Sequence, residues 1–293
     1  MRITVFTPTY NRAYIIGKLF DSLKRQSFRD FEWIVVDDGS TDDTEELFVQ
    51  FQRETPFFPI RYFRTENGGK HRAINKGIVE SRGEMFYIVD SDDYLPDDAL
   101  EKIDRVEKTI PMQESNSFAG VCGQKFFSQE RPIGNTFDGD FLDITSLERS
   151  AHGITGDKAE VFYTKLLRKY PFPEFSGEKF MTECVVWDKI AFDGYKLRFF
   201  NECTMICNYL PDGLTASGGE LFRANPKGWG LFLYQSGLFG KNKGLNKWNS
   251  YLNYFYTMRG MISFTEIAYN LHTTPLVLWL RLTGMRIFYR LYR

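Results

Sequence analysis

The sequence predicts an α/β fold with a mostly parallel sheet flanked by helices. Over the first hundred residues, short apolar runs typical of buried strands alternate with segments whose apolar residues recur at helical spacing. Such alternation is typical of βαβ units, in which successive strands lie parallel. Beyond about residue 111 the alternation becomes irregular, and the C-terminal end shows only helical patterns. We therefore expect an α/β body followed by a helical extension.

Each element of the first part follows from one of these two patterns. Apolar runs predict strands at residues 3–6, 33–36, 60–63 and 85–89. Helical spacing predicts helices after them, at residues 14–25, 42–51, 70–79 and 97–109. Thr41 or Asp42 is expected to cap the second helix, and Pro96 precedes the fourth, where proline is common.

The second part contains fewer clear elements. Apolar runs predict strands at residues 120–127, 160–163, 197–200 and 205–209, and helical spacing predicts a short helix at 183–191. Residues 128–143 are expected to form a loop. Near the C-terminus the clearest helical patterns cover residues 247–264 and 275–292.

Composition excludes several classes of protein. The 293 residues are enough for one large domain or one domain with an appendage, and a hydrophobic content of 43% excludes disorder as the main state. Four cysteines without CxxC spacing or nearby histidines are typical of free thiols in a reducing compartment. There is no signal-peptide pattern, and no apolar run approaches the roughly 18–20 residues that span a bilayer. These observations predict a cytoplasmic protein.

The charge is unevenly distributed. Residues 221–293 contain ten Lys or Arg, a single acid (Glu266) and sixteen aromatic residues, whereas residues 1–220 are acidic overall. A basic, aromatic helical extension suits the surface of an anionic membrane, so peripheral contact at the inner face of the cytoplasmic membrane is one interpretation. The alternative is a helical cap that packs on the body. Nucleic-acid binding is disfavoured because the body is acidic and no known module is present.

Polar clusters follow all four strands of the first part, where ligands bind in open parallel sheets. They are residues 7–12 (TPTYNR), 37–40 (DDGS), 66–72 (ENGGKHR) and 90–93 (DSDD). The carboxylates of Asp90, Asp92 and Asp93 repel one another, and a bound Mg²⁺ or Mn²⁺ would offset that repulsion. The alternative is a solvated turn in which Asp93 or Asp97 caps a helix.

Two further clusters are compatible with a nucleotide. Asp38 could accept a hydrogen bond from the imide of uracil, although acids after a strand also cap helices. Gly68 and Gly69 would allow close backbone approach, and residues 70–72 add positive charge for a diphosphate, although most such glycine pairs lie in ordinary loops. No GxGxxG follows the first strand and no GxxxxGK[ST] is present, which disfavours dinucleotide-dependent dehydrogenases and excludes P-loop NTPases.

Together, these four segments resemble the family 2 glycosyltransferases, which have the GT-A fold with a Rossmann-like sheet. The matching motifs are TPTYNR, VVDDGSTDDT, NGGKHRAINKG and RGEMFYIVDSDDYLPDDAL. The resemblance is specific over about residues 1–110, weaker to about residue 215 and absent from the extension. It implies a catalytic domain at 1–220, with a nucleotide-binding half (1–110) and an acceptor half (111–220), followed by the extension at 221–293.

The resemblance also implies an activity of the kind used in assembling bacterial envelope and capsular polysaccharides. A hexose-type sugar would pass from a UDP-sugar to a saccharide or lipid-linked acceptor with inversion, in a Mn²⁺- or Mg²⁺-dependent reaction. The resemblance implies that Pro8 and Tyr10 line the nucleotide pocket and that Asp38 binds uracil. It implies that Asp90 binds the ribose or lies beside the metal, that Asp92 ligates the metal and that Asp93 supports Asp92. It also places Lys70, Asn67 and Arg72 in the donor-contacting loop and implies that Asn75 braces the site.

Inverting transfer needs a carboxylate that removes the acceptor proton. The family commonly has a Glu-Asp pair in the second half, and Glu183 matches its first acid, whereas Cys184 replaces the second. We expect Glu183 to be the base, with Glu178 and Asp188 as lesser candidates. Cys184 is disfavoured as a nucleophile, because inversion needs no covalent intermediate. Glu183 could also be only a helix N-terminal acid.

Two other functions remain open on the sequence alone. A sugar-1-phosphate nucleotidyltransferase would need a Gly-rich, Arg-containing loop after the first strand, which TPTYNR does not provide. A non-catalytic nucleotide-sugar-binding protein is compatible with the missing second acid at Cys184. Residues 209–215 resemble a segment that closes over the donor as a lid, and the alternative is a surface loop. His152 and His272 are isolated and expected to be structural.

Overall fold

In the computed structural model, the described residues are 1–54, 57–128, 131–208 and 214–291. The first four strands, β1 (Ile3–Thr9), β2 (Phe31–Asp37), β3 (Ile60–Arg64) and β4 (Met85–Ile88), are parallel in the order β3-β2-β1-β4. Each is followed by a helix: α1 (Gly17–Lys24), α2 (Thr44–Glu54), α3 (Lys70–Glu80) and α4 (Ala99–Glu107). The predicted strand–helix alternation is confirmed.

The sheet continues with strands from the second part of the chain. These are β5 (Phe118–Ser128), β6 (Arg131–Pro132), β7 (Leu142–Ile144), β8 (Lys158–Tyr163) and β9 (Lys196–Ile206), and the order continues β4-β8-β5-β9-β7, with β6 paired to β5. Strand β8 is antiparallel to both β4 and β5, while β5 and β9 are parallel. Parallel pairing thus dominates the first half and mixed pairing the second.

The second part also contains two short α-helices and two 3₁₀ turns. The helices are α5 (Thr164–Leu167) and α6 (Cys184–Phe192), and the 3₁₀ turns are Ser115–Ser117 and Ser146–His152. Helix α6 packs its apolar residues, including Val185 and Ile190, against the face of the sheet that α3 also covers. This packing brings the start of α6 to the side of the sheet that carries α3.

Two predictions for the second part were wrong. The two strands expected at 197–200 and 205–209 are a single strand, β9, as far as Ile206, and residue 209 lies outside the described residues. The polar residues between them interrupt the apolar pattern, and β9 accommodates them through register shifts against β5. The segment expected to be a loop, 128–143, contains the short strands β6 and β7.

The extension consists of helices, as predicted, but with different boundaries. They are α7 (Leu214–Arg223), α8 (Pro226–Leu238), α9 (Gly244–Met258), α10 (Phe264–Asn270) and α11 (Pro275–Leu291). The helix expected at 247–264 ends at Met258, and α10 begins only at Phe264. Gly260 has a φ of +86° after α9, and Ser263 caps α10 in a capping box with Glu266, so the chain turns between them.

Three groups of buried apolar side chains hold the chain together. Two lie on opposite faces of the sheet, and every residue of β1 and β2 is therefore buried, as is usual for parallel strands covered on both sides. The third lies within the extension and includes Tyr251, Tyr254 and Leu278. Helix α8 contacts α6, so the extension also packs on the body. The predicted boundary at residue 220 falls inside α7.

Candidate functional site

The loops after β1 and β2 meet at the carboxyl edge of the sheet. Thr9 and Asp37 are register partners, and the amide of Asp38 donates to the carbonyl of Thr9 at 2.8 Å. Asn11 has a φ of +53°, which asparagine tolerates; its amide donates to Ser40 Oγ and its side chain accepts from the amide of Thr41. Tyr10 beside it is 47% exposed, so its ring is available at this edge.

Asp38 organises the loop after β3. Its buried carboxylate accepts from the amides of Gly68 and Gly69, both at 2.7 Å, and from Asn67 Nδ2 at 3.2 Å. Burial raises the pKa of Asp38, and the two amides act against that rise. The two glycine amides therefore already bind Asp38, and the close backbone approach expected at Gly68 and Gly69 is made to this carboxylate. Nothing in the sequence revealed this contact, which joins residues thirty positions apart.

Gly69 is required by a close approach of the second half of the chain. Its φ is +97°, and a Cβ at this position would lie 1.8 Å from the carbonyl oxygen of Lys179. Arg72 holds the same contact from the other side, because its guanidinium donates to the carbonyls of Gly68, Phe175 and Glu178. Arg72 thus clamps two loops together, through contacts that the sequence did not indicate.

Asn75 has the bracing position expected from the sequence. Its side chain donates to the carbonyl of Phe172 and accepts from the amide of the same residue, at 2.9 and 2.8 Å. It also donates to Glu174 Oε1 at 2.7 Å. These contacts tie α3 to the loop before α6, on the flank of the site rather than inside it.

Replacing Gly69 with alanine is expected to destabilise the fold by about 3 kcal/mol or more, because the new Cβ adds a backbone clash to an unfavourable positive φ. Gly177 is the matched control: its φ is +83° and a Cβ added there would meet nothing within 4 Å, so Gly177→Ala should cost only about 1–2 kcal/mol. Denaturant unfolding measures both. Equal losses for the two variants would contradict the close approach.

The centre of the site is a lysine shared by two carboxylates. Lys70 Nζ lies 2.8 Å from Asp90 Oδ1 and 2.8 Å from Glu183 Oε1. Burial alone would lower the pKa of Lys70, but the two carboxylates outweigh it and raise that pKa. Burial would likewise raise the pKa of Asp90, and Lys70 and Lys125 lower it instead. Three predicted site residues, from β4, α3 and the start of α6, are thus brought together.

Asp92 and Asp93 have different surroundings. Asp93 is buried, accepts from the amide of Asn208 at 3.1 Å and from Cys207 Sγ at 3.3 Å, and burial raises its pKa to about 7. It therefore anchors the chain after β9. The carboxylate of Asp92 makes no hydrogen bond or ion pair with another residue that the structure describes. Burial and the neighbouring Asp90 raise the pKa of Asp92.

Lys125 is a further cation whose charge interacts with these carboxylates, and it was not among the predicted site residues. It lies on β5, and although burial opposes its charge, Cys207, Asp90, Glu160 and Asp93 raise its pKa. A lysine within an apolar strand run, GVCGQKFF, was the available signal, because a charge in a buried strand needs a partner. Lys125 adds positive charge to the acidic edge.

The three candidate bases lie in different places. Glu178 is buried and accepts from the amides of Lys227 and Gly228, at 2.7 and 2.8 Å, at the start of α8. Asp188 is buried in an ion pair with Lys241 at 2.8 Å. Both are structural contacts, which corrects their place among the candidates. Of the three, Glu183 contacts Lys70, which also pairs with Asp90, and 35% of its side chain is exposed. Burial raises the pKa of Cys184, which favours the neutral thiol.

The remaining predictions concern isolated residues. Pro8 is buried in β1 opposite Val36 of β2. Asp42 accepts from the amide of Thr44 at the start of α2, as expected for a cap. His272 stacks on Tyr234 with ring centroids 4.5 Å apart, in agreement with a structural role. The predicted lid at 209–215 lies largely outside the described residues, since 209–213 are not described.

Comparison with known proteins gives the family of the first part of the chain. Residues 4–132, which contain all four strand-end clusters, match the sequence model of Glycosyl transferase family 2. These residues form a family 2 glycosyltransferase domain. The resemblance predicted from the sequence is therefore confirmed. The family 2 domain contains Asp38, Lys70, Asp90 and Asp92, whereas Glu183 lies beyond its matched part.

Sequence similarity to a curated relative extends beyond the part of the chain that the family model matches. Over 192 residues, the chain is 29% identical to the GalNAc(5)-diNAcBac-PP-undecaprenol beta-1,3-glucosyltransferase of Campylobacter jejuni, a match that covers 64% of this chain and 58% of that protein. The chain therefore matches little more than half of this relative's length.

Solved structures share the fold of the family 2 domain. Staphylococcus aureus TarS 1–349 in complex with UDP-GlcNAc superposes with a TM-score of 0.60 at 18% identity, covering 98% of this chain and 92% of that chain. The mannosyltransferase PcManGT from Pyrobaculum calidifontis, in complex with GDP-Man and Mn²⁺, gives 0.54 at 20% identity, covering 97% and 75%. The predicted GT-A fold is confirmed.

Asp92 is the candidate metal ligand in the family 2 domain. Among the described residues, no group of three or more His, Cys, Asp or Glu side chains is arranged to hold an ion. Mg²⁺ and Mn²⁺ often use only one or two carboxylates together with substrate phosphates. Asp92 fits that pattern, because its carboxylate is unpaired among the described residues and close enough to Asp90 for mutual repulsion.

Proposed function

We propose that this protein is an inverting, metal-dependent glycosyltransferase that moves a hexose-type sugar from a UDP-sugar to a saccharide or lipid-linked acceptor. The observation that carries the proposal is the Asp90–Lys70–Glu183 contact, in which Lys70 lies 2.8 Å from each carboxylate. It joins the nucleotide-binding edge of the family 2 domain to an acid from the other half of the chain. Sugar transfer needs charged groups that bind the donor next to a carboxylate that can deprotonate the acceptor hydroxyl.

The donor would lie across the carboxyl ends of β1, β2 and β4. Tyr10 is exposed there and Pro8 precedes it in β1, so both can border a nucleotide. The carboxylate of Asp38 already accepts from Gly68, Gly69 and Asn67, and it keeps capacity for a further hydrogen bond, because each carboxylate oxygen can accept twice. The imide of uracil is a donor that suits it. Asp90 is placed for the ribose or the metal.

Glu183 would act on the acceptor. A carboxylate within hydrogen-bond reach of the acceptor hydroxyl removes its proton as the oxygen attacks the anomeric carbon. Lys70 and Lys125 provide positive charge on the donor side, where the leaving diphosphate gains charge. Mn²⁺ or Mg²⁺, held by Asp92, would supply further positive charge for that leaving group. No covalent intermediate is needed.

The test is a panel of UDP-sugars, with GDP-mannose as the contrasting nucleotide, incubated with the protein and Mn²⁺ or Mg²⁺. Release of UDP from one donor, slow in water and faster with a saccharide or lipid-linked acceptor, is the expected result. Binding of UDP-sugars without any release would instead favour the non-catalytic nucleotide-sugar-binding protein. If neither a thermal shift nor UDP release occurs with any donor, the proposal is wrong.

The basic extension supports a second part of the proposal, contact with an anionic membrane surface at residues 221–293. On α11, Leu276, Trp279 and Leu280 are 54–66% exposed next to Arg281. Exposed aromatic and aliphatic side chains beside cations suit the interface of an anionic bilayer. Within the described ranges, no helix is both long enough and apolar enough to cross a membrane. Peripheral contact at the inner face of the cytoplasmic membrane is the location that we infer.

Replacing Trp279 and Leu280 together with serine is expected to weaken binding to phosphatidylglycerol vesicles by at least about tenfold, because both side chains would lose their burial in the interface. Vesicle flotation measures the bound fraction. Val79→Ser is the matched control, since Val79 is 71% exposed but lies on α3. If the double variant floats as well as the wild type, α11 is not the contact.

A further inference from the structure

The ammonium of Lys70 pairs with two carboxylates, those of Asp90 and Glu183. An ammonium has three N–H donors, and those of Lys70 serve Asp90 and Glu183 at the same short distance. The three side chains are only partly buried, with 22% of Lys70 and 35% of each carboxylate exposed. The group is therefore open to an incoming ligand.

The two carboxylates hold Lys70 from different parts of the fold. Asp90 lies two residues after β4, the strand next to β1, and Lys70 is the first residue of α3, so both belong to the family 2 domain. Glu183 immediately precedes α6 and joins this pair only through the packing of the second half. The Lys70–Glu183 contact therefore joins the two halves of the chain at the site.

An arriving diphosphate would compete for this ammonium. Three acids at this edge, Asp90, Asp92 and Glu183, exceed the charge of the two lysines, Lys70 and Lys125. A diphosphate adds further negative charge. A lysine is a compact charge on a flexible stem, so it can turn from one anion to another. While Lys70 is paired with Glu183, that carboxylate is occupied by the ammonium.

We propose that Lys70 is a donor-sensing positioning residue, which pairs with Glu183 in the donor-free protein and releases it when the diphosphate of the donor takes the ammonium. This inference rests on the proposed function, in which Glu183 is the base and the donor is a UDP-sugar. Its consequence is an order of events: the base becomes free for the acceptor hydroxyl only after the donor is in place.

Thermodynamic reciprocity makes the proposal measurable without turnover. If UDP weakens the Lys70–Glu183 pair, then that pair weakens UDP binding by the same factor. Glu183→Gln should therefore tighten UDP binding by about fivefold or more. Uridine, which has the base and ribose but no phosphate, should bind the variant and the wild type equally.

The experiment is a double-mutant cycle on the full chain, measured by calorimetry with UDP and with uridine, each in the presence of Mg²⁺. The variants are Glu183→Gln, Lys70→Met and the two combined. The gain in UDP affinity should vanish when Lys70 is methionine and should persist when Lys70 is arginine, which keeps the charge.

Two controls separate this coupling from general effects of charge. Glu174→Gln removes an exposed acid that contacts Arg72 and Asn75 but not Lys70, and Lys76→Met removes a lysine from the same helix that pairs with Glu80. Neither should change UDP affinity by more than about twofold. Circular dichroism verifies that each variant is folded.

The outcomes distinguish this inference from the function on which it rests. If UDP binds and Glu183→Gln does not tighten it, or tightens it equally without Lys70, the inference is overturned while the proposed function stands. If the folded wild-type protein binds no UDP at all, the proposed function fails and the inference fails with it. The inference is supported if Glu183→Gln raises UDP affinity when residue 70 is lysine or arginine but not when it is methionine.

Discussion

Replacing Glu183 with glutamine is expected to slow sugar transfer by about 10²–10⁴-fold, the usual contribution of a general base. Glutamine has nearly the same shape but cannot accept a proton, so the acceptor hydroxyl would attack without assistance. The fold should be unaffected, because Glu183 is partly exposed and its carboxylate pairs with Lys70 at the site rather than within a buried core. UDP binding should not be weakened, and the release of Lys70 inferred above should tighten it. Transfer is measured with the best donor of the UDP-sugar panel.

The control for this variant is Glu174→Gln, which removes an exposed acid from the loop before α6 without touching Lys70. Its transfer rate should stay within about twofold of the wild type, the range expected for an exposed ion pair. Near-normal transfer by Glu183→Gln would show that another group is the base. The contacts of Glu178 with the start of α8 and of Asp188 with Lys241 make those two poor replacements.

The second large effect is expected from Asp92→Asn, which should lower metal-dependent transfer by about 10²-fold or more. A bound divalent ion supplies several kcal/mol of charge stabilisation to a leaving group, and about 1.4 kcal/mol corresponds to a factor of ten. The amide removes the negative charge that attracts the ion. Stability should fall little or even rise, since burial and Asp90 raise the pKa of Asp92 in the folded state. Mn²⁺ titrations of UDP binding and of transfer measure the effect.

Asp97→Asn is the matched control, because Asp97 belongs to the same acidic segment but is exposed and paired with Arg25. Chelation of the metal in the wild-type protein should reproduce the loss seen in Asp92→Asn, and chelation should have little additional effect on the variant. A variant that keeps the full Mn²⁺ response would exclude Asp92 as the ligand.

Much of the fold could be predicted from local patterns. The four parallel strands and their helices were placed within a few residues, because alternation and helical spacing are properties of short segments. The position of the site followed from the same information, since the polar clusters directly follow strands whose carboxyl ends meet at one edge. Asp90 and Lys70, which belong to two of these clusters, are in contact in the structure.

Predictions failed where the partner of a residue lies far along the chain. The apolar pattern of β9 is interrupted, and only its pairing with β5 and β7 makes it one strand. Arg72 looked like a donor contact, but the carbonyls that it binds come from residues 175 and 178. The sequence offered three candidates for the base, Glu178, Glu183 and Asp188. Only their contacts in the folded protein distinguished them.

By itself, the sequence determined the order of elements, the edge of the sheet at which polar groups collect and the family to which the first half belongs. The tertiary structure alone decided which acid meets Lys70, which glycine amides serve Asp38 and where Lys125 lies. The physical reason is that periodicity and capping act over a few residues, whereas an ion pair between residues 70 and 183 exists only because α3 and α6 pack on the same face of the sheet.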